Sequence, residues 1–118
     1  MEPIDLLAEA AFHRDTLLLR SLVQDFTRAK INWSIVPPPN STDDRLLALS
    51  ASLAELLASR QQQTPPAWAS SIGALTEPFY LLQSAEKMTR LRELCETQSP
   101  EPLRKRRLYA PPNFLEFA

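Results

Sequence analysis

The chain has 118 residues, 44% hydrophobic and 23% charged, with 13 Lys and Arg against 14 Asp and Glu: the size and balance of one globular domain. Twenty leucines can build a core without disulfides or metal, and one cysteine (Cys95) with one histidine (His13) cannot furnish a structural zinc site. A single glycine, Gly73, excludes the glycine-rich phosphate cradles of nucleotide-binding loops, and no apolar run approaches the roughly 20 residues of a membrane span.

The first predicted helix opens at Pro3, whose missing N–H is no loss there, and carries Ile4, Leu7, Ala8 and Ala11 at helical spacing. The acidic start Met1-Glu2-Pro3-Ile4-Asp5 lacks the basic lead of a secretory signal, and a reducing cytoplasm is the expected compartment. A second apolar face, Leu18, Leu19, Leu22, Val23 and Phe26, has Asp15 placed as its cap; spacing leaves open one bent helix or two. Ile31 to Val36 alternates apolar and polar residues before Pro37-Pro38-Pro39 and reads as a linker or edge segment. Ser41-Thr42-Asp43-Asp44 then caps the strongest helix, about 42–62, with Leu46, Leu49, Leu53, Leu56 and Leu57 in a stripe and alanines at 48, 51, 54 and 58. Small residues beside a leucine stripe admit close neighbours, which places this helix at the centre of a bundle.

Gln61-Gln62-Gln63 and Pro65-Pro66 end that helix, and a short helical turn over 67–72, closed by Gly73, should put Trp68 in the core. From Ser84 a further helix sets Met88, Leu91, Leu94 and Cys95 on one face and Glu86, Arg90 and Glu93 on the other, ending near Thr97. No Asn-Gly or Asp-Gly hairpin turn occurs. The expected fold is all-α, a four- to five-helix bundle over residues 1–98, with a proline-rich, basic and aromatic extension over 99–118.

Charge divides the chain similarly. Residues 1–59 carry a net −3 and residues 87–107 a net +4, with Arg104-Lys105-Arg106-Arg107 consecutive. Such a run attracts acidic protein faces or polyanions when exposed, or is simply solvated. Five large apolar residues follow within the last eleven, among them Tyr109, Phe114, Leu115 and Phe117. Two readings stay open: the tail folds back into a groove of the bundle, or it is an arm whose aromatic anchors enter another protein.

The segment from Ser99 to Ala118 resembles the C-terminal signature of small bacterial helical proteins: Pro, a basic cluster, an apolar pair, then Asn or Asp before Phe-Leu. Those proteins look like partners of nucleotidyltransferase-fold toxins in toxin–antitoxin or phage-defence pairs. The resemblance covers about 20 residues and implies a non-enzymatic partner of an enzyme that carries the nucleotide chemistry, needing no cofactor. The residues agree with that reading. The adjacent carboxylates Asp43-Asp44 sit where a helix cap explains them, no Arg precedes His13 as helical ribonucleases require, and Cys95 falls on an apolar stripe. The expected partner-binding residues are Arg104, Lys105, Arg106, Arg107, Tyr109, Phe114, Leu115 and Phe117. The alternative is a small nucleic-acid-binding regulator whose arginines contact phosphates, which the net charge of −1 disfavours. No membrane association and no metal are expected.

Overall fold

The computed structural model describes residues 3–40 and 42–115. Of these, 59% are helical: α1 (Pro3–Phe12), α2 (Thr16–Arg28), α3 (Asp44–Arg60), α4 (Thr89–Gln98) and the single turn α5 (Glu101–Arg104), with 3-10 turns at Trp33–Ile35, Ala67–Ser71 and Gln83–Glu86. Two short strands, β1 (Phe79–Tyr80) and β2 (Leu108–Tyr109), pair in parallel, with Phe79 beside Leu108 and Tyr80 beside Tyr109. The architecture is a helical bundle bearing one small parallel ladder, so it is mostly but not purely α.

The longest helix, α3, is also the hub. Asp43 caps it by accepting from the Arg45 and Leu46 N–H groups at 2.8 and 3.4 Å. Leu49 and Leu53 are fully buried, and Ala48, Ala51, Ala54 and Ala58 lie beside them out of solvent. Because those alanines are small, α1 and α5 both pack closely against α3, and Ser52 reaches the Pro102 carbonyl at 2.9 Å.

The first two apolar faces belong to separate helices. Arg14 adopts a left-handed backbone (φ 56°), and Asp15 N–H returns to the Ala10 carbonyl at 2.9 Å, closing α1 before Asp15 caps α2 through the Leu18 N–H. The same closure recurs at Lys30 (φ 54°) after α2 and Gln62 (φ 57°) after α3, each followed by a bond from the next N–H five residues back. Glycine would fit these three positions without strain, but none is present.

Three expectations need correction. Residues 31–36 are neither linker nor edge: Trp33 is fully buried, its ring edge-on to Phe26 at 6.5 Å, and the Gln63 amide bonds both Trp33 N–H (2.8 Å) and the Ile31 carbonyl (3.1 Å). Half-buried Trp68 closes the segment by donating to the Val36 carbonyl at 2.8 Å. The helix expected from Ser84 begins only at Thr89, because a 3-10 turn occupies 83–86. It lies on the outside of the bundle with Cys95 alone fully buried, leaving Met88 57% exposed.

The third is the extended arm, one of the two readings open for the tail. Residues 99–115 are not an extended arm but part of the globule: Leu103, Leu108 and Ala110 are fully buried, and Leu115 nearly so. The reason is geometric. A left-handed Arg107 (φ 63°) turns the chain out of α5 into β2, where Phe79 N–H bonds the Arg107 carbonyl (3.0 Å) and Leu81 N–H the Tyr109 carbonyl (2.9 Å). Buried Ser99 bridges the would-be boundary by accepting from Ala110 N–H at 2.9 Å. No helix of the described residues is long and apolar enough to cross a membrane.

Candidate functional site

The four consecutive cations are dispersed by the fold. Arg106 is 2% exposed, and its guanidinium spans the Ile72 (3.1 Å), Ala69 (2.8 Å) and Pro102 (3.0 Å) carbonyls while pairing with Glu55 on α3. Lys105 approaches the same carboxylate at 3.1 Å. Burial alone would raise the Glu55 pKa, but hydrogen bonds and charge from Arg106 and Lys105 outweigh it and hold the carboxyl below its ordinary value. Exposed Arg104 and Arg107 each bond a backbone carbonyl, that of Thr97 (2.9 Å) and Thr76 (2.9 Å). Arg106 is therefore a structural cross-link, and only Arg104, Lys105 and Arg107 present charge to solvent.

The aromatic residues divide too. Tyr109 is half-buried, its ring 5.5 Å from that of Tyr80 on one face of the ladder. Burial, with the hydrogen bond and charge of Glu96, pushes the Tyr80 phenol up to about 12, so it stays protonated at neutral pH. Leu115 is core, whereas Phe114 is half-buried and its carbonyl is held by Arg60. Phe117 lies outside the described residues.

Phe114 and Leu115 form one wall of an apolar cleft of about 200 Å³, together with Pro111, Leu19 of α2 and Leu81 and Leu82 beyond β1. Arg14 and Thr16 also line it, and with Leu81 and Leu82 they line an adjoining hollow that reaches Ser84 and Lys87. Large apolar side chains adjoin it in sequence on both sides: Leu17 (83% exposed) and Leu18 (47%) at the start of α2, and Met88 before α4. Sequence reasoning missed this cleft because its walls come from three segments far apart in the chain, and Leu18, which spacing put on the apolar face of the second helix, is in fact 47% exposed. A larger hollow of about 720 Å³ opens between the start of α3 and residues 71–79. Two of its charged groups are engaged, Asp43 as the α3 cap and Arg45 over the Phe12 ring at 4.9 Å.

The residues weighed for chemistry are dispersed. His13 is exposed at the α1–α2 turn with its ring edge-on to Phe12 at 5.4 Å, and Cys95 is buried on α4. Burial, then the Glu96 charge, pushes the Cys95 thiol up, away from the thiolate a nucleophile needs. Among the described residues no three His, Cys, Asp or Glu side chains converge as a metal site would require. The chain matches no protein-family model, no curated protein and no solved structure.

Proposed function

We propose that this chain is a non-enzymatic protein-binding module, the antitoxin-like partner of a nucleotidyltransferase-fold toxin in a toxin–antitoxin or phage-defence pair of the cytoplasm. The observation that carries the binding role is the apolar cleft beside the C-terminal segment, with Leu17, Leu18 and Met88, next in sequence to residues that line the hollow, left exposed. An apolar concavity with exposed leucine and methionine side chains nearby is a form that protein interaction surfaces take. The choice of partner class rests on the resemblance of residues 99–118 alone.

Within this reading Arg106, Leu108 and Leu115 are scaffolding, because each is buried in the monomer. Arg104, Lys105 and Arg107 steer the encounter, and Phe114 and Tyr109 offer the partly exposed aromatic surface that anchors it. The nucleic-acid alternative loses ground, since a run of four arginine and lysine side chains with one buried against Glu55 presents no continuous phosphate-binding face.

Co-expression with the product of the neighbouring gene, followed by pull-down, tests the reading. The two proteins should co-purify in fixed ratio, and Leu18→Asp or Phe114→Ala in a folded chain should weaken the complex, Phe114→Ala by about 2 kcal/mol if it is a hot spot. Failure to co-purify, or affinity unchanged in both variants, contradicts it.

A further inference from the structure

Between α2 and α3 burial repeats every third residue: Trp33 and Val36 are buried and Pro39 is half-buried, whereas Ser34, Ile35, Pro37 and Pro38 are exposed, Ile35 by 75%. The period has a covalent origin. A proline ring fixes its own φ and drives the residue before it to extended ψ, so Val36, Pro37 and Pro38, each followed by proline, are confined to the polyproline II region. Val36 lies there, at φ −63° and ψ 127°. The 3-10 turn over Trp33–Ile35 has the same number of residues per turn and hands the inner face on to the prolines. Both ends are clamped. The Val36 carbonyl accepts from the Trp68 indole at 2.8 Å, and Asn40 N–H donates to the Asp5 carboxylate at 3.1 Å.

We propose that residues 35–38 are a docking ridge for a protein partner whose groove is lined by aromatic rings and takes a left-handed proline helix. The chemistry of the ridge selects that occupant. Pro37, Pro38 and Pro39 have no N–H, so a strand of a partner finds no donors along them. No charged residue lies between Lys30 and Asp43, so a polyanion or an ionic surface finds no group to steer it. What the segment offers instead is rigid apolar surface in a threefold array. Ile35 and Pro38 form one outer ridge, roughly 9 Å apart, with Pro37 beside it, and flat ring faces fit between such ridges. Docking there costs little conformational entropy, because prolines and the two end clamps already hold the backbone. None of these residues lines the cleft beside Phe114, so this is a second surface, independent of the toxin-partner reading.

The test titrates the full isotope-labelled chain with a WW domain and with a Src-homology-3 domain, whose grooves are aromatic-lined. At least one should bind and shift the Ile35 and Val36 methyls and the Asn40 amide, and about 0.5 M salt should leave its affinity within about twofold. Pro38→Ala and Ile35→Ser, both at exposed positions, should each weaken binding about tenfold with near-UV circular dichroism unchanged, whereas Pro65→Ala, at an exposed proline outside the segment, should not. Should Pro38→Ala disturb the fold, Ile35→Ser decides alone. The proposal is overturned if neither domain binds at about 1 mM, which leaves the segment a rigid spacer between α2 and α3. It is overturned equally by shifts that fall on the cleft methyls of Leu19, Leu81 and Leu82 instead of 35–40, by binding that salt abolishes, or by affinity that survives both substitutions.

Discussion

At the scale of single residues, a charge becomes structural when its hydrogen-bonding capacity is filled. Arg106 is buried with three carbonyls and a carboxylate around one guanidinium, whereas Arg104, two positions earlier, is exposed with one backbone bond. Arg106→Met should therefore cost about 3–5 kcal/mol in denaturant unfolding, since it takes the donor from three carbonyls inside the fold and leaves Glu55 with Lys105 alone, and Arg104→Met should cost less than about 1. The acid limb follows in sign. A Glu55 pKa held below 4.5 stabilises the folded state fully above that value, and the contribution is lost as pH falls through the lowered pKa. Stability measured from pH 6 to about pH 3 should fall less steeply in Glu55→Gln than in the parent; an unchanged slope would remove the ion pair from this account. Backbone strain is equally local. Lys30 and Gln62 hold left-handed conformations at exposed helix ends, so Lys30→Gly and Gln62→Gly should each raise stability by about 0.5 kcal/mol, the relief of a side-chain clash less the entropy glycine gains when unfolded.

At the scale of elements, α3 and α4 are opposites, and the contrast explains what the sequence could disclose. The leucine stripe and its alanines lie in one unbroken run behind an acidic cap, so both the position of α3 and its central place were readable, with the expected 42–62 becoming Asp44–Arg60. Leu53→Ala should cost about 2–5 kcal/mol, as complete burial beside Ala54 leaves little room for collapse. The periodicity of α4 was read correctly as helix with Cys95 in the core, but its start was placed at Ser84 instead of Thr89, and Met88 and Leu94 on the same apolar face are exposed. Apolar spacing tells which residues share a side, not whether anything covers it, and the nearest element to α4 is the turn at 83–86. Amide exchange in α4 should accordingly run faster than in α3, by sub-global opening that leaves the hub intact; equal protection would mean that α4 is as firmly held as α3. Residues 31–36 show the converse limit. Their alternation and the prolines after them describe an extended backbone well enough, yet the burial of Trp33 depends on Phe26 and Gln63, seven residues before and 30 residues after it.

At the scale of the whole molecule, the C-terminal segment is what most separates reading from structure. Proline punctuation, four cations and a change of composition all suggested a piece of chain apart from the bundle, and each has a local explanation once folded. The α5 turn starts after Pro100, Arg106 reaches a carboxylate 51 residues earlier, and β2 completes a ladder with β1. Nothing in a run of four cations marks which of them will meet Glu55, so the candidate site was legible as a region and not residue by residue. Removing everything after Pro102 strips out Leu103, Leu108 and Leu115, worth about 5–9 kcal/mol of apolar burial together, and also both cationic partners of Glu55, Lys105 and Arg106. Domains of this size are stable by about 5–15 kcal/mol in total. A chain ending at Pro102 should thus lose its cooperative thermal transition and near-UV circular dichroism, and any loss of partner binding would follow from unfolding. Tyr109→Ala and Phe114→Ala, at half-buried positions, are the variants that separate the two effects. If the truncated chain instead melts cooperatively within a few degrees of the parent, the buried leucines at 103, 108 and 115 carry no weight in the core, and the segment returns to being an arm.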